Sequence, residues 1–129
     1  MGEVKHCPEH RQPAPKKVVW LGNSLETLRS FPKSVRETFG FAIFQAQMGH
    51  KHVHAKPLRD FGSGILEVIA DSQAGTFRAV YTVRFSERVY VLHAFQKKSK
   101  RGISTPRIEL ELIRKRLALA LEINAAAKE

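Results

Sequence analysis

The chain has 129 residues, 43% apolar and 26% charged, which suits one globular domain with its own core and excludes a disordered segment. Lysine and arginine number 22 against 12 aspartates and glutamates, a net charge of +10 that points to a polyanionic partner such as nucleic acid, ribosome or anionic membrane. The single cysteine, Cys7, excludes an internal disulfide, and no apolar run approaches the roughly 18–20 residues that span a bilayer. With no signal-peptide core at the N-terminus, the expectation is a cytoplasmic protein without a membrane partner.

Residues 1–15, with three prolines, are expected to form a flexible tail, and residues 16–125 a single domain. His6, Cys7 and His10 are candidate metal ligands, but a mobile tail is a poor frame for them and no metal site is assigned. "KVVWL" (17–21) reads as a short strand. Asn23 or Ser24 can cap a helix that ends near Ser30, before Pro32. A second helix runs from about Lys33 to Met48, with Val35, Phe39, Ala42 and Ala46 at helical spacing and Gly49 as its stop. Phe41 and Phe44 widen this stripe, so the helical hairpin is expected to pack against something large.

Three strands follow, "GILEVIAD" (64–71), "TFRAVYTVRF" (76–85) and "RVYVLHAFQ" (88–96), rich in β-branched and aromatic residues and joined by short turns. They read as an antiparallel meander, the third strand central because it is apolar on both faces. Thr105 can cap a last helix with Pro106 at its first position, and Leu110, Ile113, Leu117 and Leu121 mark its buried stripe. The fold class is α+β: one layer of helices, an N-terminal hairpin and a C-terminal helix, packed on an antiparallel sheet.

The candidate chemistry is cationic. Lys97, Lys98, Lys100 and Arg101 put four cations into five positions where a central strand leaves the sheet. Such charges cannot be buried cheaply, so they face water or an anion. Lys56 and Arg59 precede the first meander strand, and Arg78 stands beside Val80 and Thr82 on one face of the second. His50, His52 and His54 alternate and would share one side of an extended segment; an exposed basic loop is the plainer reading, and His54 is the candidate proton acceptor. His93 reads as a packed residue of the central strand. Glu67 and Asp71 stand isolated, whereas metal-dependent nuclease chemistry needs clustered acids. What remains is a cation-rich site for a phosphodiester, where with RNA the substrate's own 2′-hydroxyl can be the nucleophile.

The stretches "KPLRDFGSGILEVIAD", "TFRAVYTVRF" and "VYVLHAFQKKSKRGISTPRIELELIRKRL" resemble the phage-derived Gp49-like branch of the HigB toxins, within the RelE/ParE superfamily, over about residues 30–120. The resemblance implies a RelE-like fold and a type II toxin that cleaves messenger RNA on the ribosome. It implies no cofactor, and a HigA-like helix-turn-helix antitoxin as partner. Carried over by position, the catalytic cations would be Lys56, Arg78 with Tyr81 close behind, Lys97 and Lys98, with His54 as base; Arg59, Lys100 and Arg101 would bind RNA.

Two departures stand out. Many relatives have an arginine two places after the strand glutamate, where this chain has Ile69, and residues 99–110 lack the tyrosine that RelE carries after its basic segment. Two alternatives follow from other classes: a non-catalytic ParE-like toxin that binds gyrase, and a basic nucleic-acid-binding module without chemistry.

Overall fold

The computed structural model describes residues 14–97 and 105–127. The expected tail therefore lies almost wholly outside the described residues, as do Lys98, Lys100 and Arg101. In chain order the elements are β1 (Lys17–Trp20), α1 (Ser24–Arg29), α2 (Lys33–Gln47), β2 (Ala55–Pro57), a 3-10 turn (Arg59–Phe61), β3 (Ile65–Ser72), β4 (Gly75–Thr82), β5 (Arg88–Lys97) and α3 (Arg107–Ala127). The class is α+β, consistent with a RelE-like fold.

The five strands lie in the order β1-β5-β4-β3-β2. β3, β4 and β5 form the expected antiparallel meander. Two pairings go beyond the sequence expectation. β2 adds antiparallel to β3, with Lys56 opposite Glu67. β1 runs parallel to β5, so the sheet is mixed. The physical reason is that β5 is apolar on both faces and needs a neighbour at each edge; β4 supplies one and the Val-Val-Trp segment the other. β4 ends at Thr82, three residues before the expected boundary, and Val83 hydrogen-bonds instead to Gly64.

The single helical layer expected from the sequence is in fact two layers. Leu28 of α1 and Val35, Phe39, Ala42 and Ile43 of α2 pack on Leu66, Val68, Phe77, Ala79, Tyr81, Val89 and Val91. On the other face, Ile113, Leu117 and Ala120 of α3 pack on Ile65, Val80, Tyr90, Leu92 and Phe95. Strand side chains alternate between faces, and here both sets are apolar, so each face buries against its own helices. Phe41 and Phe44 do not join the core; both are about half exposed. Leu121 is also largely exposed, and the buried stripe of α3 continues through Ala120 and Asn124 instead. Asn124 accepts a hydrogen bond from the buried Tyr90 hydroxyl at 3.0 Å.

One irregularity decides where the cations stand. Val80 pairs with His93 but Tyr81 pairs with Val91, so Leu92 is an extra residue, a β-bulge. Before it, Val89 and Val91 face α1 and α2; after it, Ala94 faces them and Phe95 faces α3. A one-residue slip exchanges the faces of every later side chain. Without the bulge Lys97 would point toward α1 and α2. With it, Lys97 shares the α3 face with Phe95.

Candidate RNA-binding site

Three cations named from the sequence share that face. Ala55 packs with α2, so its neighbour Lys56 takes the opposite face. Arg78 lies between Phe77 and Ala79, both in the α1–α2 core, and also takes the α3 face. Lys97 joins them through the bulge. The register pairs Lys56 with Glu67, Ile69 with Arg78, Arg78 with Phe95 and Thr76 with Lys97. At about 3.4 Å per residue and 4.8 Å per strand, the Cα of Arg78 lies about 8 Å from that of Lys97 and about 12 Å from that of Lys56. The three form a diagonal across β2, β4 and β5, within the reach of long side chains.

β2 makes this possible. Residues 55–57 run antiparallel to β3, away from the end of the sheet where β5 leaves, and set Lys56 opposite Glu67, four residue steps from the level of Lys97. Arg59 is not brought there. It follows β2 in the 3-10 turn, near the start of β3, at the end of the sheet opposite Lys97.

Arg78 is buried and ion-paired. Its Nη1 donates to Glu67 Oε2 at 3.1 Å and to Thr105 Oγ1 at 3.3 Å, and the Thr105 hydroxyl donates to the same Glu67 oxygen at 2.9 Å. Side-chain exposure is 4% for Arg78 and 9% for Glu67, so each charge needs the other. Thr105, expected to cap α3, is used here instead, and the helix begins two residues later. Lys97 is also mostly buried, whereas Lys56 is exposed.

His54 and Lys56 line one cleft of about 450 Å³, with Thr38, Val53, Ile69 and Asp71. The Asp71 carboxylate is held by the Thr76 hydroxyl, which donates to it at 2.7 Å across the β3–β4 hairpin. The three alternating histidines do not lie in an extended segment: the chain turns at Val53–His54, and the His52 and His54 rings come to 5.4 Å of each other. His52 is buried, its Nδ1 accepting the His54 backbone N–H at 3.0 Å, while His54 is exposed. Burial, reinforced by neighbouring His54, lowers the pKa of His52 below its ordinary 6.5. Tyr81 faces the α1–α2 core, away from the cations, and burial pushes its hydroxyl up to about 12. It stands three residues from Arg78 in sequence but on the opposite face of the sheet.

A second polar cluster ties the first turns of α3 to β5. His93 Nε2 donates to Glu109 Oε1 at 2.6 Å, and its Nδ1 accepts from Arg116 Nη1 at 3.4 Å, the arrangement of a neutral ring. The ring stacks on Phe95 at 4.9 Å. Burial is the largest influence and lowers the His93 pKa; Glu109 opposes it and Arg116 adds to it. Arg116 also donates to the Leu92 carbonyl and to Asn23 Oδ1, which is why Asn23 stands at the N-cap of α1 without a side-chain capping bond. Gly22, at φ +56, leaves the room this needs: a Cβ there would lie 2.6 Å from the Arg116 guanidinium. Among the described residues, no group of three or more His, Cys, Asp or Glu side chains is placed to hold a metal ion, and no helix is long and apolar enough to cross a membrane.

Sequence reasoning missed Glu67 and Thr105 as partners of Arg78. The signal was available: an acid inside an otherwise apolar strand calls for a cation on the neighbouring strand.

The chain belongs to the phage-derived Gp49-like protein family (DUF891), whose family model matches residues 26–118. That family is associated with the toxins of toxin–antitoxin systems, which implies an antitoxin partner in general terms. No curated protein matches the chain.

Proposed function

We propose that the protein is a HigB-like toxin that cleaves messenger RNA on the ribosome, without a metal, and is neutralised by a HigA-like helix-turn-helix antitoxin. The observation that carries this reading is the diagonal of Lys56, Arg78 and Lys97 on one sheet face, beside a cleft that holds His54. Lys56 and Lys97, spread along the diagonal, suit an extended polyanion, with Arg78 buried between them. The attacking group is the 2′-hydroxyl of the substrate. His54 takes its proton, a role open to an imidazole side chain. Lys97 and Lys98 stabilise the charge that develops on the phosphate, and Lys56 holds the neighbouring backbone. Lys100 and Arg101 grip ribosomal RNA, and Arg59, at the far end of the sheet, serves docking rather than the reaction. Arg78, buried against Glu67 and Thr105, works as a positioning residue that sets β3 and β4 beneath the lysines.

Induction in a bacterial host, with 5′ ends of transcripts mapped genome-wide, tests this. The expected result is growth arrest with new breaks inside translated frames, relieved by co-expression of the neighbouring antitoxin gene and abolished by Lys97→Ala. Double-strand DNA breaks with unchanged transcript ends would establish the gyrase-directed alternative instead. Normal growth with abundant soluble protein would leave only a binding module.

A further inference from the structure

We propose that the cleft between α2, the 50–54 loop and β3 is a nucleobase subsite that takes an unpaired guanine, read by Asp71. The inference deepens the RNA reading: the cleft opens at the sheet edge beside Lys56, against α2. The cleft, about 450 Å³, falls within the roughly 300–1,000 Å³ of small-molecule sites. Its walls are of two kinds: Val53 and Ile69 are apolar, while Thr38, Lys56 and Asp71 are polar. Val53 is 86% exposed, an apolar surface open to a flat ligand. Unpaired bases bury their faces on such surfaces and present their Watson–Crick edges to polar groups.

Asp71 decides which base. In a chain of net charge +10, a carboxylate inside a basic site weakens phosphate binding, so the cleft is poorly made for a second phosphate. A carboxylate accepts hydrogen bonds and cannot donate them, so it suits a neutral group that offers donors. Guanine presents two adjacent donors, N1–H and the N2 amino group, that match two carboxylate oxygens. Adenine and cytosine place a ring-nitrogen acceptor beside their amino group, and uracil flanks its single donor with two carbonyls; each sets an acceptor against the carboxylate. The Thr76 hydroxyl fixes Asp71 through Oδ1 at 2.7 Å, and the remaining lone pairs of the carboxylate can accept from a base. Lys56, in the same cleft, can meet the phosphate of that nucleotide. Ile69 supplies an apolar wall where a cation would attract phosphate instead.

The test is a titration of the purified protein with the four nucleoside 5′-monophosphates, followed by NMR of the Ile69 and Val53 methyl groups. Guanosine monophosphate should shift these methyls and bind most tightly. Asp71→Asn keeps an oxygen for Thr76 but breaks the double acceptor. It should weaken guanosine monophosphate about tenfold, as expected for loss of a bidentate contact, without weakening uridine monophosphate. Equal affinities for all four nucleotides, shifts that avoid the cleft, or an unchanged guanine preference in Asp71→Asn would each overturn the proposal. Because the readout is binding, guanine selectivity in a protein that cleaves no messenger RNA would sink the endoribonuclease reading and leave the subsite standing. Cleavage without guanine binding would do the reverse.

Discussion

Glu67 and Arg78 form a buried ion pair across β3 and β4, Oε2 to Nη1 3.1 Å, closed by the Thr105 hydroxyl that bonds to both. Removing one partner strands a charge in the interior. Glu67→Ala and Arg78→Ala should each cost about 3–5 kcal/mol in urea unfolding. A double change to Glu67→Leu with Arg78→Met should recover most of that loss, since an apolar pair of similar volume is often neutral. A double variant no more stable than the singles would show that other contacts dominate.

The two buried tyrosines should respond oppositely to loss of their hydroxyls. Tyr90 donates to Asn124 Oδ1 at 3.0 Å, whereas the Tyr81 hydroxyl is buried with no hydrogen-bond partner among the described residues. Tyr90→Phe should cost about 1 kcal/mol, and Tyr81→Phe should be neutral or stabilising. Tyr81→Phe should also keep full growth arrest, since Tyr81 faces the α1–α2 core. A loss of toxicity in a stable Tyr81→Phe protein would place that hydroxyl in the function after all.

The elements were legible because their periodicity was strong. α2 and β5 follow from Val35, Phe39 and Ala42 at helical spacing and from an unbroken apolar run. β2 was not legible: three residues with a proline carry no period, and pairing with β3 alone makes them a strand. The face of Lys97 was also hidden, because it depends on the bulge at Leu92, which no local pattern announces. Thr105 illustrates a third kind of miss. Thr-Pro before a helix is a sound capping signal, yet the hydroxyl serves the Glu67–Arg78 pair 38 residues back in sequence, a long-range demand that outweighed the local one.

Stability should fall on mild acidification. His52 and His93 both have pKa values lowered by burial, so the unfolded chain binds protons more readily than the folded one. Stability therefore rises with pH wherever the unfolded state holds more protons. The loss begins as pH drops through about 6.5, the unfolded value, and continues down to the folded values. The melting temperature should decline from pH 7 to pH 5, and His93→Gln should make that decline shallower. Glu109→Gln removes the group that raises the His93 pKa, so the ring should titrate at still lower pH by NMR. A His93 that titrates above 6.5 would reverse the sign and refute the argument.

The basic run at the end of β5 should divide into two kinds of cation. Lys97 is mostly buried at the strand end, on the face shared with Lys56 and Arg78. The proposed role for it and for Lys98 is to stabilise charge on the reacting phosphate. Lys100 and Arg101 are assigned to backbone grip. Loss of a transition-state stabiliser lowers the chemical step, by about a hundredfold or more. Loss of a grip weakens binding and reduces the salt slope by about one, leaving the step itself unchanged. Single-turnover cleavage on programmed ribosomes, at saturating toxin and several salt concentrations, separates these effects. Lys97→Ala and Lys98→Ala should depress the saturated rate, whereas Lys100→Ala and Arg101→Ala should change only affinity and its salt dependence. Thermal melts must match the parent first, because Lys97 pairs with Thr76 in the sheet and its loss could loosen the strand end. If all four variants keep the saturated rate, the run is a docking surface. The cation of the reaction must then be sought first at the exposed Lys56.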